Sequence, residues 1–391
     1  MSCVGIIAEF NPLHTGHKRL IDHAKTLGNT VVCAISGNFV QRGDVAILSK
    51  SQRAKFALMC GADIVAEIPV LWSMSTAQNF ALGGVWQLYN LGCDKIVFGS
   101  ECGDINQLIE AANILNSDGF FDKVTQKAKS GITFAVAREM VASEMGVDFT
   151  LLRGANNNLG IEYILAAKKL NLPIEFATIK RVGAGHDSSE IDLGFVSSSF
   201  IRTELLKGNI GYTERFMPRE IRGVITEENI ADICRLENAI LYALRTKSIE
   251  DLKSIPDISE GLENKIYFSA RVATNLDELY NMIKTKRYTL ARIRRLVLAA
   301  FLGFDNRFFM TTPPYVKVLG FSNTGLEHLK TPQGIIPIIT RALQIKQLDI
   351  DAQDIFETEC RATDIYNLCL GVPLECGTEQ RMKILKKEEL L

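Results

Sequence analysis

Short apolar runs rich in β-branched residues alternate with helical patterns in the first part of the chain. Val4–Ala8, Thr30–Ile35, Ile64–Ile68 and Lys95–Phe98 are runs of the first kind. Gly16–Leu27, Ser49–Cys60 and Thr76–Leu91 predict helices between them. Strands that are apolar throughout, without alternation, are buried on both faces. The expected fold is therefore α/β, a doubly wound parallel sheet with helices on either side. Such sheets bind ligands at the carboxyl ends of their strands.

The pattern continues with helices at Ile105–Leu115 and Phe120–Glu144. A loop, Arg153–Asn158, precedes an apolar helix from Leu159 to Leu170, and Ile174–Ile179 reads as a further strand ending in Lys180-Arg181. A polar stretch, Gly183–Ser189, leads to Phe195-Val196-Ser197-Ser198-Ser199 and a helix starting near Phe200. Beyond that the character changes. Ile230–Arg245, Asp277–Lys284 and Thr289–Leu302 read as helices and strand signals thin out. This predicts a doubly wound domain over 1–215 and a mainly helical C-terminal region over 216–391. Residues 312–391 are mixed, and the charged tail Lys383–Leu391 reads as a helix or a frayed end.

Composition narrows the class. The chain has 391 residues, enough for two or three domains, and 44 Lys+Arg against 45 Asp+Glu give a net charge of −1. A uniformly basic nucleic-acid coat is excluded, while a local basic patch is not. No run of apolar residues is long enough for a membrane span. The start runs from Met1 through Val4-Gly5-Ile6-Ile7 into Glu9 without a basic segment or cleavage site, so it reads as a strand and not as a signal peptide. Nine cysteines without a C-x-x-C pair suggest reduced thiols and a cytoplasmic protein, with Cys33 and Cys60 in the core.

The chemistry concentrates in Glu9-Phe10-Asn11-Pro12-Leu13-His14-Thr15-Gly16-His17-Lys18, directly after the first strand. Two of the five histidines stand in H-x-G-H. Asn11-Pro12 ends the strand, and Gly16 admits close backbone approach at a helix start. Two imidazoles and a helix N-terminus then face one anion, as charge developing on an attacked α-phosphate requires. A metal pair, or two rings that only cap the helix, are the alternatives. The second signal, Val196-Ser197-Ser198-Ser199-Phe200-Ile201-Arg202, places hydroxyls at a helix start. They cap the helix, and Ser198 or Ser199 with Arg202 also suits a phosphate.

These two motifs resemble the H-x-G-H nucleotidylyltransferase superfamily. Further segments narrow the resemblance: Ser36–Asp44, Phe98-Gly99-Ser100-Glu101, Asn156–Tyr163, Ile179-Lys180-Arg181, Lys286–Thr289, Tyr315–Phe321 and Arg361–Tyr366. In that order, over essentially the whole chain, they resemble the bacterial tRNA(Met) cytidine acetate ligase family.

The resemblance implies an ATP-dependent ligase on a Rossmann-type domain. Acetate attacks the α-phosphate of ATP, giving acetyl-adenylate and pyrophosphate. The N4 amine of the wobble cytidine of elongator tRNA(Met) then takes the acetyl group and AMP leaves. Mg2+ is implied alongside ATP, with no protein ligands to name. By the same resemblance ATP is wrapped by Ile7, Ala8, Glu9, Phe10, Asn11, Pro12, Leu13, His14, Thr15, Gly16, His17, Lys18, Arg19 and Leu20, with His14 and His17 catalytic. Gly99, Asn156 and Arg181 join them, with Asn157 the rival for the Asn role.

Asn38 or Arg42, after the second strand, orients acetate or the tRNA nucleotide if that loop faces the cleft, and is otherwise structural. Lys18 and Lys50 are candidates for neutralising pyrophosphate, and Asp63 and Glu67 read as edge charges. The densest basic stretch is Lys284-Thr285-Lys286-Arg287 followed by Arg292, Arg294 and Arg295, with Arg292 and Arg295 on one helix face. It is a solvated face on charge alone. Given the implied substrate, Lys286, Arg287, Arg292 and Arg295 are the first choice for tRNA docking. A small-molecule adenylyltransferase or pantoate-type ligase on the same fold, and a nucleotide-sensing RNA-binding protein without catalysis, are the competing readings.

Overall fold

The fold is taken from a computed structural model that describes residues 2–181, 196–259, 261–304, 306–331 and 334–390. The stretch Gly183–Ser189 and Phe195 lie outside the described residues. The strands in chain order are β1 (Cys3–Ala8), β2 (Thr30–Ser36), β3 (Phe39–Val40), β4 (Asp44–Val45), β5 (Ile64–Ile68), β6 (Lys95–Ser100), β7 (Glu175–Lys180), β8 (Val316–Phe321), β9 (Ile338–Ile339) and β10 (Leu385–Lys386).

The main sheet runs β10-β8-β5-β2-β1-β6-β7, with β9 alongside β8. The strands from β5 to β7 are parallel, and successive residues of each point to opposite faces. Cys3, Ile7, Val32, Ala34 and Ile96 enter one apolar core together with Val85 and Leu88 of the helix Ala77–Asn90. Val4, Ile6, Val31, Cys33 and Val97 enter the other, against Leu20, Ile21 and Ala24 of the helix Thr15–Leu27. Two cores on two faces make the sheet doubly wound, as the strand composition requires.

Three local expectations change. The helical stretch Phe120–Glu144 divides into Phe120–Ala128 and Phe134–Glu144, with Gly131 at φ 93° between them. The loop Arg153–Asn158 is mostly helix, because the next helix already begins at Ala155. The tail is neither helix nor frayed at Leu385–Lys386, which pairs in parallel with Gly320 and Phe321.

The C-terminal region also returns to the sheet. β8 lies antiparallel to β5, so the sheet draws on both sides of the 215/216 division. A buried ionic cluster reinforces this junction. Lys50 Nζ lies 2.5 Å from Glu67, 2.9 Å from Glu359 and 2.7 Å from Glu379. Lys317 Nζ pairs with Glu67 at 3.3 Å and with Glu379. Neither lysine is therefore available as a surface charge, and the expectation that Lys50 meets pyrophosphate is corrected. Glu67 is likewise not an edge charge.

Three carboxylates face two ammonium groups. Burial and the adjacent Glu67 charge push the Glu359 carboxyl up to about 7. Burial opposes ionisation of Glu67 as well, but Lys50 and Lys317 bring it down to about 2. From the ordinary carboxyl value of 4.5 up to about 7, folded Glu359 keeps a proton that the unfolded chain has released. Its contribution to stability therefore falls as pH rises through that window. Glu359→Gln is expected to remove this fall, which we put at about 2 kcal/mol between pH 5 and pH 7.5. Urea denaturation midpoints across that range, compared with wild type, measure it.

Candidate active site

A cavity opens at the carboxyl ends of β1, β6 and β7. Its wall contains Ile7, Ala8, Glu9, Phe10, Asn11, His14, Gly16, His17, Arg19 and Leu20 from the first strand and helix. Gln41, Arg42, Gly99, Asn156, Lys180, Arg181, Ser198, Ser199 and Arg202 join them. Pro12, Leu13, Thr15 and Lys18 are not on this wall; Leu13 is core, and Lys18 pairs with Asp22 at 2.5 Å in solvent.

The two histidines are set by the start of the helix Thr15–Leu27. The backbone N–H of Gly16 donates to His14 Nδ1 at 3.0 Å, and the backbone N–H of His14 donates to His17 Nδ1 at 3.3 Å. This is a capping box built from two imidazoles. A backbone N–H only donates, so each Nδ1 is an acceptor and each ring carries its proton on Nε2. The rings lie 4.0 Å apart, and the edge of Phe10 packs 5.1 Å from His17. A Cβ on Gly16 would stand 2.7 Å from His14 Cε1 and 3.0 Å from Nδ1, so only glycine leaves room for this ring.

The preceding turn is held from behind. Phe10 is buried at φ 47°, in the left-handed region that a side chain disfavours. Asn11 Oδ1 accepts the N–H of Ile47 at 2.7 Å. Buried Arg53 donates to the carbonyls of Glu9, Ser36, Gly37 and Leu48, joining the loops that follow β1 and β2.

The second motif forms the facing wall. Ser197 Oγ caps the helix Ser198–Leu206 by accepting the N–H of Phe200 at 3.1 Å. Arg202 donates to the carbonyl of Asn11 at 2.7 Å and to Ser199 Oγ at 3.0 Å. Arg42, on the β3–β4 hairpin, donates to the same hydroxyl at 3.4 Å. On the third side Arg181 donates to Asn156 Oδ1 at 3.3 Å, and its Cγ lies 3.2 Å from where a Cβ on Gly99 would stand. Burial lowers the pKa of Arg181 and the Glu101 charge opposes this.

Other candidates lie elsewhere. Asn38 is buried outside the cavity wall, donating to Thr363 Oγ1 at 3.2 Å and accepting from the N–H of Lys50 at 2.8 Å. Asn157 turns away to accept from the backbone N–H groups of Glu101 and Cys102. Asp63 accepts from Val31 N–H and the Ser322 hydroxyl. Cys33 and Cys60 are core thiols, and burial pushes Cys60 up to about 12.

Lys286 and Arg287 are exposed. Arg292 and Arg295 do share a helix face, but it is turned into the fold. Arg292 pairs with Asp257 at 3.0 Å, and Arg295 donates to the carbonyl of Gln41 at 3.0 Å. Arg295 therefore clamps the hairpin that carries Arg42. The apolar wall, with Phe80, Phe98, Leu159 and Tyr163, escaped sequence reasoning because these residues follow core periodicity. Among the described residues no three His, Cys, Asp or Glu side chains are grouped to hold a metal ion, and no helix is long and apolar enough to cross a membrane.

Comparison with known proteins adds three findings. The sequence matches the HIGH Nucleotidyl Transferase family over residues 1–380. It is 37% identical to the tRNA(Met) cytidine acetate ligase of Thermoanaerobacter sp. (strain X514) and 38% identical to that of Caldanaerobacter subterraneus subsp. tengcongensis, in each case over 94% of this chain and 95% of the relative. The crystal structure of Thermotoga maritima TmcAL in its apo form superimposes with a TM-score of 0.92 at 28% identity, over 99% of both chains. The same protein bound to alpha-thio ATP gives 0.90.

The capping geometry predicts how the site answers to anions. Inorganic triphosphate is expected to raise the melting temperature of wild type, and Gly16→Ala to lose most of that rise by displacing His14. Thermal melts with and without the anion check this.

Proposed function

The chain belongs to the tRNA(Met) cytidine acetate ligase family, and from that premise we propose that it joins acetate to the wobble cytidine of elongator tRNA(Met) at the expense of ATP. The observation that carries the reading is the pair of imidazoles whose Nδ1 atoms are both occupied by backbone N–H groups. Each ring thereby carries its one N–H on Nε2, the atom that would donate to a phosphate oxygen. The helix N-terminus adds its partial positive charge at the same place. Arg42 and Arg202, meeting at Ser199, supply full charges opposite.

A carboxylate oxygen of acetate attacks the α-phosphorus in line, the bond to the β,γ-pyrophosphate breaks, and pyrophosphate leaves. Negative charge that builds on the α-phosphate meets donors already in place, so little reorganisation is needed at the moment of reaction. In the second step the cytidine N4 attacks the acetyl carbonyl, AMP leaves, and N4 gives up one proton. Asn156 and Arg181 bind ATP from the side of β6 and β7, with Gly99 allowing close approach. Arg42 orients acetate or the incoming nucleotide, while Asn38 acts only by holding its loop. Magnesium neutralises charge on the triphosphate when bound.

Transfer RNA docks through Lys286 and Arg287, and the enzyme works in the cytoplasm, where tRNA and ATP are found. Arg292 and Arg295 serve the same surface indirectly, by fixing the helix Leu290–Leu302 and the hairpin against each other.

Two experiments test this. With ATP, labelled acetate and tRNA(Met), wild type is expected to form acetylated cytidine. His14→Ala or His17→Ala should lower adenylate formation by at least about 100-fold and leave tRNA binding intact. Transfer to a small metabolite without RNA would favour the small-molecule ligase instead. Lys286→Glu with Arg287→Glu should flatten the dependence of log Kd on log salt by about 2, whereas Arg295→Ala should lower turnover and leave that slope unchanged.

A further inference from the structure

The helix Ala155–Lys169 starts at Gly154 with no side-chain cap of its own. A carboxylate from another element fills that place. Glu101, just after β6, accepts from the backbone N–H of Asn156 at 3.1 Å, the backbone N–H of Asn157 at 2.7 Å and the Asn156 side-chain Nδ2 at 2.7 Å. Asn157 answers by accepting from the backbone N–H groups of Glu101 at 3.0 Å and Cys102 at 3.2 Å. A Cβ on Gly154 would lie 2.5 Å from Glu101 Oε2, so the approach depends on glycine. Burial opposes ionisation of Glu101, but these donors hold its carboxyl below the ordinary range.

Glu101 is not on the cavity wall, whereas Asn156 and Arg181 are. An asparagine amide can present either of its two ends to a ligand, and its partners decide which. Here Nδ2 is held by the carboxylate, so Oδ1 turns to Arg181 Nη1 at 3.3 Å. We propose that Glu101 is a positioning residue that locks the Asn156 amide, so that the nucleotide meets an acceptor, Oδ1, beside the Arg181 guanidinium. The proposal rests on the ligase reading above, which makes the cavity an ATP site. A glutamine at 101 has one oxygen and an NH2 group against three N–H donors. It therefore leaves at least one donor unmet and loosens the amide.

The experiment is titration of the full-length protein with alpha-thio ATP by calorimetry, with a thermal melt on each variant. Glu101→Gln is expected to weaken binding by about tenfold while the KM for acetate stays unchanged. Asn156→Ala is expected to weaken binding similarly. The double variant should be no weaker than Asn156→Ala alone within about twofold, because Glu101 acts through that side chain. A helix cap with no other role would lower the melting temperature and leave the affinity alone, which would overturn the proposal. So would fully additive losses. If Glu101→Gln does not fold, Glu101→Asp keeps the charge and shortens the reach: weaker binding supports the proposal and an unchanged constant overturns it. Wild type that fails to bind the nucleotide would overturn the ligase reading and this inference with it. Wild-type binding with an unaltered variant constant would overturn this inference alone.

Discussion

A helix that begins beneath a cavity leaves backbone N–H groups needing acceptors, and here two of the N–H groups around that start are met by ring nitrogens. That choice has consequences in both directions. Toward the cavity it fixes the protonated edge of each imidazole, because the opposite nitrogen is already an acceptor. Toward the protein it demands a glycine at position 16 and a turn that brings the chain abruptly out of β1. Phe10 takes a left-handed backbone with its ring in the core, and Asn11 is tied to Ile47. Arg53 collects carbonyls from both neighbouring loops. A buried guanidinium is costly unless its donors are met, and these oxygens meet them while fixing the loops beside the cavity.

The C-terminal region is part of this construction and not an appendage to it. Lys50 begins the helix that carries Arg53, and its ammonium group reaches Glu67 on β5, Glu359 on the helix Ile350–Asn367 and Glu379. The β3–β4 hairpin, which delivers Arg42 to the cavity, rests on the helix Leu290–Leu302. A Cβ on Gly43 would stand 2.5 Å from the backbone nitrogen of Arg295. Breaking one member of such a cluster leaves a buried charge uncompensated, so the whole set moves or holds together. The helical region thus packs against the hairpin that forms one wall of the cavity.

Four of the five parallel strands, β1, β2, β5 and β6, were legible because burial demands apolar, β-branched runs, and few other elements look like that; β7, half-buried at the sheet edge, shows only the weaker run Ile174–Ile179. β8 was not. Its run Val316–Phe321 is interrupted by Lys317, and a lysine reads as a solvent-facing charge until its carboxylate partners are known. Those partners lie far away in sequence, beyond the reach of any local pattern. The same gap explains Lys50 and Glu67. H-x-G-H was legible because the chemistry needs those residue types within one turn. Glu101 stands in the segment Phe98-Gly99-Ser100-Glu101, yet its hydrogen-bond partners, Asn156 and Asn157, lie more than fifty positions on. Periodicity correctly put Arg292 and Arg295 on one face, but it carries no information on what that face meets.

Under the proposed function, that distinction bears on which cations meet RNA. Phosphate binding is favoured largely because loosely held counterions are released from the nucleic acid when protein cations replace them. An arginine already paired inside the fold must first give up its partner, and the exchange returns little. Arg292, held by Asp257 and by the Ser259 hydroxyl, is in that position. Arg295, bonded to a backbone carbonyl, would release the hairpin if it left. Lys286 and Arg287 stand on an exposed turn before the same helix. Under the proposed function, a near-neutral chain can carry an RNA-binding surface without a visible excess of charge, because opposite charges cancel inside the fold.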